Sequence, residues 1–249
     1  MGKPDHSQVA QGVHRLTKGV VNFYLIEDGG KLALIDAGTP RDWNLLARTI
    51  ADLGRRLSDL ETILLTHAHS DHTGFAERAR VAAEASVWIH AADGEVAKGG
   101  KPGKNDGKTS SYLLRPEFYR TLFSLLRRGA GKIIPIHEVS TFADGGRLDV
   151  PGHPRAVHAP GHTPGSAALF LEERRILLTG DTLVTKNPLT GRIGPQIMPS
   201  ALNRDTQQAL RSIDLLEAIR ADVILPGHGE PWRQGVDEAV RLAREAGPS

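Results

Sequence analysis

A stretch of eleven residues, LLTHAHSDHTG at positions 64–74, concentrates three histidines and one aspartate within six positions. Imidazole nitrogens and carboxylate oxygens are donors with which proteins bind zinc and similar cations. Alternate residues of an extended chain face the same way, so His67 and His69 suit a single ion. Asp71 and His72 are expected to open the following helix and to face another point, where they suit a second ion. The stretch therefore indicates a metal site, with a histidine-rich surface loop as the plain alternative.

Two donors do not complete a zinc site, which normally takes three or four protein ligands. Three more donors stand at predicted strand ends or in turns between strands: His162 in HAPGHTPGS, Asp181 in ILLTGDTL and His228 in VILPGHGEP. Each alone is better explained as a hydrogen-bonded turn residue. Their common position beside apolar segments, together with the cluster at 67–72, favours one site that gathers them all. Because the chain has no cysteine, nitrogen and oxygen must hold any metal.

Short apolar segments alternate with amphipathic ones, and these elements must position the donors. Residues 20–27 and 31–36 are predicted to pair as a hairpin through the turn at 28–30. Further strands are predicted at 62–65, 86–89, 155–158, 166–171, 176–179 and 223–225, and helices at 40–53, 75–84, 116–128, 204–219 and 236–246. Thr39 is the expected N-cap of the first helix and Pro40 its first residue. This alternation predicts an α/β fold of sheets covered by helices, and residues 1–249 are expected to form one domain.

Two segments near the middle of the chain carry less regular signals. Residues 93–111 are rich in glycine and lysine and predict a mobile, solvent-facing loop, with a substrate lid as the alternative. The helix predicted at 116–128 carries Phe118, Leu122, Leu125 and Leu126 on the side expected to be buried.

The composition is that of an ordinary globular protein, with 39% hydrophobic and 24% charged residues. A net charge of +2 gives no electrostatic reason to expect a nucleic-acid partner. The first sixteen residues lack the apolar core of a secretion signal, and no segment approaches the length of a membrane span. We therefore expect a soluble cytoplasmic protein that acts on a small molecule, without a membrane partner, as a monomer or a homodimer.

The order of four motifs, THAHSDHTG, PGHTPGS, TGDTL and LPGHG, resembles the metallo-β-lactamase fold superfamily, and LIDAGTP at 34–40 is similar to the family's opening. The resemblance is to the branch of hydrolases with two metal ions, close to glyoxalase II and lactonase-like members. It implies a four-layer αββα sandwich, in which helices cover two face-to-face mixed β-sheets and the metals lie at one edge. It also implies how the donors divide: His67, His69 and His162 hold the first ion, Asp71, His72 and His228 hold the second, and Asp181 bridges both. Asp36 in LIDAG is implied to orient a ligand histidine.

The activity implied by this resemblance is metal-dependent hydrolysis. A hydroxide bridging two divalent cations would attack an ester, thioester or lactone, because a zinc-bound water loses its proton at about pH 7. Asp71 would orient that hydroxide or pass a proton to the leaving group. Zinc is the metal expected, with iron and manganese as alternatives.

Departures from the better-known branches of the family narrow the expected substrate. True β-lactamases of this fold lack an aspartate at the bridging position, and acyl-homoserine lactonases place a tyrosine where this chain has Val184. Only 21 residues follow His228, too few for the helical segment with which glyoxalase II binds its thiol conjugate. Residues 184–200, which include Ile193, Ile197 and Met198, are expected to form a wall for an acyl chain, a packed core loop or a dimer contact.

Two other activities stay open at this level. One is a mononuclear iron oxidoreductase of the persulfide dioxygenase type, although a complete second set of donors argues against a single ion. The other is a phosphodiesterase or nuclease of the same superfamily. For that activity, four lysines of the 93–111 segment would bind the nucleic-acid backbone: Lys98, Lys101, Lys104 and Lys108.

Overall fold

Strands and helices alternate along residues 5–249, the part of the chain that the computed structural model describes. The strands are β1 His6–Ala10, β2 Val13–Lys18, β3 Val21–Asp28, β4 Lys31–Ile35, β5 Leu60–Leu65, β6 Ser86–His90, β7 Ser140–Phe142, β8 Arg155–His158, β9 Ala167–Leu171, β10 Ile176–Gly180, β11 Val184–Lys186, β12 Ile193–Gln196 and β13 Val223–Pro226. The helices are α1 Trp43–Asp52, α2 Ala76–Ala83, α3 Gly94–Ala97, α4 Pro116–Arg127, α5 Thr206–Glu217 and α6 Val236–Ala246.

Two mixed sheets and a small ribbon are built from these strands. The larger sheet has the order β1-β2-β3-β4-β5-β6-β7, with antiparallel pairing up to β4 and parallel pairing from β4 to β7. The smaller sheet has the order β13-β10-β9-β8, in which β10 is parallel to β13 and antiparallel to β9. β11 and β12 pair with each other as an antiparallel ribbon. Among the described residues, no helix has the length and apolar character needed to span a membrane.

Alternate residues of the central strands enter different hydrophobic clusters, and this alternation defines the layers. In β3, Leu25 packs in a cluster with residues of α1 and α2, whereas Tyr24 and Ile26 face the smaller sheet. In β10, Leu177 packs in a cluster with residues of α5 and α6, whereas Leu178 faces the larger sheet. Both sheets are therefore buried on both faces, and the αββα sandwich expected from the resemblance is the observed fold.

Most predicted elements are confirmed to within a few residues. The predicted hairpin at 20–36 is β3 and β4, and the helices predicted at 75–84, 204–219 and 236–246 are α2, α5 and α6. The first helix begins later than predicted because Pro40–Asp42 is a 3-10 turn. Asp42 Oδ2 closes that turn by accepting hydrogen bonds from the backbone N and the Oγ1 of Thr39, at 2.9 and 2.7 Å. The strands β1, β2, β7, β11 and β12 were not predicted.

Two irregular segments differ from their predictions. The 93–111 segment is not solvent-facing throughout, because Asp93 and Ala97 are buried and residues 94–97 form α3. The rest of that segment is largely exposed, as expected. Residues 184–200, expected to be a loop, contain the β11–β12 ribbon. In this ribbon region Ile197 and Met198 are buried, whereas Ile193 is exposed.

Candidate metal centre

The cluster at 67–72 lies in the loop between β5 and α2. His67 and His72 are buried in this loop, and the backbone carbonyl of His69 accepts hydrogen bonds from the amides of His72 and Thr73 at 3.0 and 2.9 Å. The expectation that Asp71 and His72 open the helix is wrong, because α2 begins at Ala76. Asp71 and His72 lie in the turn closed by these two hydrogen bonds, before α2 begins, so the turn and not the helix places their side chains.

The three distant donors all lie at one end of the smaller sheet. His162 stands in the turn from β8 to β9, Asp181 directly follows β10, and His228 follows β13. β10 and β13 are parallel neighbours, so the chain leaves both strands at the same edge of the sheet. Gly227 lets the backbone after β13 lie close to Asp181 and His72. A Cβ at this position would lie only 2.3 Å from Asp181 Oδ1 and 2.8 Å from His72 Cε1.

All seven predicted donors meet at this edge, and they form two groups. Within each group the candidate ligand atoms lie within 4.8 Å of one another: His67, His69, His162 and Asp181 in the first, and Asp71, His72 and His228 in the second. The three histidines of the first group and the three residues of the second are the sets that the resemblance implies, and by this distance measure Asp181 falls in the first group.

Asp181 lies between the two groups. Its Oδ2 is 3.8 Å from His67 Nε2, 3.3 Å from His162 Nε2 and 3.3 Å from His228 Nε2. Its Oδ1 is 3.4 Å from His72 Nε2. The single carboxylate therefore faces histidines of both groups, which is the position required of a bridging ligand.

The arrangement of the donor atoms suits the binding of divalent cations better than it suits hydrogen bonds among the donors themselves. His67 Nε2, His72 Nε2 and Asp181 Oδ1 are buried without a hydrogen-bond partner, although buried polar atoms are nearly always paired. Ligand atoms placed tetrahedrally at 2.0–2.1 Å from zinc would be about 3.4 Å apart. The 3.3–3.8 Å separations around Asp181 are of that size. Cations at these points would satisfy all three unpaired atoms.

Hydrogen bonds at the opposite ring nitrogen fix four of the five histidines. Each of the four has its Nδ1 bonded away from the centre: His67 to Thr66 Oγ1 at 3.0 Å, His72 to Asp36 Oδ2 at 2.8 Å, His162 to Asn203 Oδ1 at 3.2 Å, and His228 to the Val20 carbonyl at 2.7 Å. These partners orient Nε2 inward as a donor, as second partners of metal-bound histidines do. His69 instead turns its Nδ1 inward, 2.9 Å from His162 Nε2.

Asp36 connects the two groups from behind. It accepts hydrogen bonds from His72 Nδ1 and from the backbone N and Oγ1 of Thr66, and Thr66 Oγ1 in turn contacts His67 Nδ1. Asp36 has a positive φ of 60°, a conformation that aspartate and asparagine tolerate better than most residues. One buried carboxylate thus orients a histidine of each group, directly or through Thr66.

The histidine pKa values divide according to their neighbours. Burial, with neighbouring imidazoles adding to it, lowers the pKa of His67 and His69 well below the ordinary histidine value. Both rings are therefore neutral donors at neutral pH. Burial also opposes charge on His72, but the carboxylates of Asp181 and Asp36 outweigh it and raise its pKa to about 10. The charges of His228 and His72 hold the pKa of Asp181 well below its usual range against the effect of burial.

Two structural residues of the centre escaped prediction. Asp93 is buried and accepts hydrogen bonds from the backbone N of Ala68 at 2.9 Å, from Thr163 Oγ1 at 2.7 Å and from the backbone N of Gly165 at 2.8 Å. It thereby ties the His67–His69 loop to the His162 turn. Asn203, the partner of His162, is equally buried. In the sequence Asp93 is only the first residue of a glycine-rich segment, and no motif distinguishes it there.

A cavity of about 270 Å³ opens above the centre. Its floor includes five of the seven donors: His69, Asp71, His162, Asp181 and His228. Its walls are mostly apolar and come from α4 and from the chain around the ribbon: Phe118, Leu122, Leu125, Pro188, Leu189, Met198 and Leu202. The helix predicted at 116–128 is confirmed as α4, but its predicted burial is wrong. Leu122 and Leu126 are exposed, because the apolar side faces this cavity and the surface instead of the core.

Comparison with known proteins agrees with the fold. The sequence model of the metallo-beta-lactamase superfamily matches residues 16–228, which include all seven donors. The chain belongs to this superfamily. A metallo-β-lactamase fold that gathers these two groups of donors implies divalent metal ions.

Individual relatives of this metallo-β-lactamase superfamily protein include hydrolases. The chain is 27% identical over 243 residues to the probable metallo-hydrolase YflN of Bacillus subtilis, covering 90% of this chain and 86% of that protein. It is 26% identical over 228 residues to the atrochrysone carboxyl ACP thioesterase of Aspergillus fumigatus, covering 88% of this chain and 55% of that protein. Among solved structures it is similar to the metallo-beta-lactamase family protein TTHA1429 of Thermus thermophilus, with 28% identity, a TM-score of 0.65, and coverage of 96% of this chain and 80% of that one.

Proposed function

We propose that the protein is a hydrolase with two divalent cations, most simply zinc, that cleaves a carboxylic ester, thioester or lactone with an apolar acyl group. The observation that carries the proposal is the convergence of seven nitrogen and oxygen donors on the floor of a cavity with apolar walls. The metallo-hydrolase relatives support the reaction class, and the thioesterase supports an acyl substrate.

Each donor has a role in this proposal. His67, His69 and His162 would hold one cation and Asp71, His72 and His228 the other, and Asp181, which faces histidines of both groups, would be a ligand that the two groups share. When bound, the cations supply an acidified water, whose pKa falls to about 7 on zinc, and polarise the acyl oxygen of the substrate. Asp71 is more exposed than the buried Asp181 and lines the cavity, so it can orient that water and pass a proton to the leaving group.

The chemistry of the walls favours an acyl substrate over a phosphodiester. Among the described residues that line the cavity, the only charged side chains other than histidine are Asp71 and Asp181, both of them donors. The two cations would bind the scissile phosphate, but the neighbouring phosphates of a nucleic acid would need further cationic partners, which the walls do not supply. The loop lysines Lys98, Lys101 and Lys104 do not line the cavity, and neither does Lys108. The same walls suit an alkyl chain, because burying each CH2 contributes about 0.8 kcal/mol.

Part of the proposed wall comes from the 184–200 segment. Met198 and Leu189 line the cavity, whereas Ile197 packs in the cluster beneath α5 and α6 and Ile193 points to solvent. The segment therefore serves as wall and as core, and Met198 is its residue best placed to contact an acyl chain.

A double substitution of the donors tests the reaction. His67→Ala/His69→Ala should lose at least one equivalent of metal by mass spectrometry and at least 1,000-fold in kcat/KM on p-nitrophenyl esters and acyl thioesters, at roughly the scale of removing a main catalytic element. The control is His153→Asn, at a surface histidine outside both groups, which should retain metal and activity. Full activity of the double variant would refute the proposal. One iron per chain, with oxygen uptake on thiol persulfides, would favour the mononuclear oxidoreductase instead.

A substitution in the wall tests the acyl substrate separately. Met198→Asp places a charge beside the alkyl chain, so activity on octanoyl esters should fall at least tenfold more than activity on acetyl esters. Leu215→Asp, on the exposed face of α5, should leave the ratio unchanged. An identical chain-length preference in wild type and Met198→Asp would exclude Met198 from the wall while leaving the metal chemistry untouched.

A further inference from the structure

Exposed apolar side chains are concentrated around α4. Of the ten large hydrophobic residues that are exposed within residues 5–249, seven lie between positions 113 and 134. We call these seven the apolar rim: Leu113, Leu114, Tyr119, Leu122, Phe123, Leu126 and Ile134. Scattered exposed apolar residues are ordinary, whereas seven of them on one helix and the segments that flank it are characteristic of an interaction surface.

The rim is continuous with the lining of the cavity. On α4, Phe118 and Leu125 face the cavity, and Leu122 both lines it and is 41% exposed. Helical spacing then carries the apolar face onward to the outer surface, where Phe123 is 61% and Leu126 58% exposed. One helix thus presents a single broad apolar face, half of it over the metal centre and half of it to solvent.

Positive charge is concentrated in the same part of the chain. Residues 98–135 contain nine lysines and arginines and two acidic residues, a net charge of +7. Because the whole chain carries +2, the remaining residues carry −5. Within residues 5–249, six of these nine basic side chains have no ion-pair partner: Lys101, Lys104, Lys108, Arg115, Arg127 and Lys132. A small total charge therefore conceals a strongly basic part of the chain, residues 98–135, which contains the whole rim.

We propose that the apolar rim and its basic surround dock on an anionic lipid surface. Basic side chains beside exposed aromatic and aliphatic ones are the combination that binds helices to the interface of anionic bilayers. A second copy of the chain would meet this face with the same positive charge, so the charge opposes a two-fold dimer through it. Docking sets the mouth of the cavity against the bilayer, where an amphiphilic molecule can pass from lipid to the metal centre along an unbroken apolar path.

Sedimentation with lipid vesicles tests this docking without requiring turnover, so its failure is distinct from failure of the proposed hydrolase. The wild-type protein should bind phosphatidylcholine vesicles containing about 30% phosphatidylglycerol and should not bind pure phosphatidylcholine. Raising salt from about 50 to about 500 mM should weaken binding, because the basic groups are exposed.

Two pairs of variants separate the apolar and the charged contributions. Phe123→Ser/Leu126→Ser should weaken vesicle binding at least tenfold, whereas Val81→Ser/Leu215→Ser, which changes two exposed apolar residues elsewhere, should not. Arg115→Gln/Arg127→Gln should weaken it roughly 25-fold, since each basic group near such a surface contributes about fivefold. Arg211→Gln/Arg220→Gln is the matched control with the same change in charge.

Three results would overturn the proposal. The first is the absence of binding to anionic vesicles, which would support the sequence-based expectation of no membrane partner. The second is vesicle binding that Phe123→Ser/Leu126→Ser leaves unchanged, since the rim would then not enter the lipid. The third is a dimer in light scattering that the same variant dissociates, which would assign the rim to a second copy of the chain.

Discussion

At the scale of single residues, the geometry of the candidate centre is determined by the hydrogen bonds that its histidines make on the side of the ring facing away from the centre. Four imidazoles lie within 4 Å of one buried carboxylate, that of Asp181, and the inward nitrogen of each is selected by a hydrogen bond at the other side of the ring. Asp36 has the widest reach, because it holds His72 directly and His67 through Thr66. Asp36 orients the candidate ligands through these contacts, although it does not itself line the cavity.

Replacing Asp36 by asparagine should therefore weaken metal binding without removing a donor. Asparagine accepts the positive φ, but its amide nitrogen cannot accept the hydrogen bonds that Asp36 receives from His72 and Thr66. Loss of such a partner typically lowers metal affinity 10- to 100-fold. Competition with a chromophoric zinc chelator measures the change. Asp222→Asn, which alters a surface ion pair with Arg175, is the control and should bind zinc as wild type does. An unchanged affinity in Asp36→Asn would show that Asp36 does not orient the ligands.

At the scale of elements, α2 is attached to the chain that follows α4 by one carboxylate. Glu77 accepts two hydrogen bonds from Arg80 at 2.8 and 3.0 Å and one from His137 Nδ1 at 2.8 Å. The hydrogen bond from Arg80 is the main cause that lowers the pKa of Glu77 to about 2, and the bonds from His137 act in the same direction. α2 directly follows the loop that carries the candidate ligands His67 to His72, so this attachment also supports that loop at the end next to α2.

The stability contributed by Glu77 should depend on pH in a defined direction. The charged carboxylate is favoured in the folded state, so its contribution is fully present above pH 4.5 and is lost as the pH falls toward 2. Glu77→Gln should cost about 2 kcal/mol at pH 6, and the difference from wild type should nearly vanish at pH 2. Urea unfolding of the metal-free proteins measures both values. Glu84→Gln, at the exposed end of α2, should show no such dependence; a constant difference for Glu77→Gln across this range would contradict the assignment.

At the scale of the whole molecule, the site depends on how the two sheets meet. Asn22 of β3 donates from Nδ2 to the carbonyls of Pro226 and Gly229, at 2.9 and 2.7 Å, and accepts from Arg15 Nε at 3.0 Å. These bonds join the larger sheet to the segment after β13 that carries His228. The second group of donors is therefore built from both sheets and held by contacts between them.

Asn22→Ala should disturb stability and metal binding together. The substitution removes the side-chain partner of the Gly229 carbonyl and one of the bonds made by the Pro226 carbonyl and by Arg15, which should cost about 2 kcal/mol in urea unfolding. The released His228 segment should also lower the zinc content to about one ion per chain. Asn44→Ala, on the exposed face of α1, should change neither quantity. Destabilisation with both ions retained would show that the segment is held by other contacts, such as the hydrogen bond from Tyr24 to Pro226.

Local signals in the sequence were sufficient for the donors and for most elements. The donor types are visible because imidazole and carboxylate are the only strong ligands left in a chain without cysteine. The strands of the sandwich are visible because burial on both faces makes them continuous apolar runs. β1 was missed because its residues are only half-buried, and β7 because it is only three residues long, so neither has a strong pattern.

Tertiary structure alone decided which surfaces those elements share. The sequence of α4 shows an apolar side, but the pattern does not tell whether that side faces a core, a cavity or solvent. In the fold, part of it faces the cavity because the ribbon region and the candidate metal centre lie opposite it. Asp93 and Asn203 became recognisable only when folding placed them beside donors remote in sequence. The chemistry of a side chain depends on its residue type, so it can be predicted from the sequence. The orientation of a side chain depends on contacts between segments that are distant in sequence, and no local spacing of residues predicts those contacts.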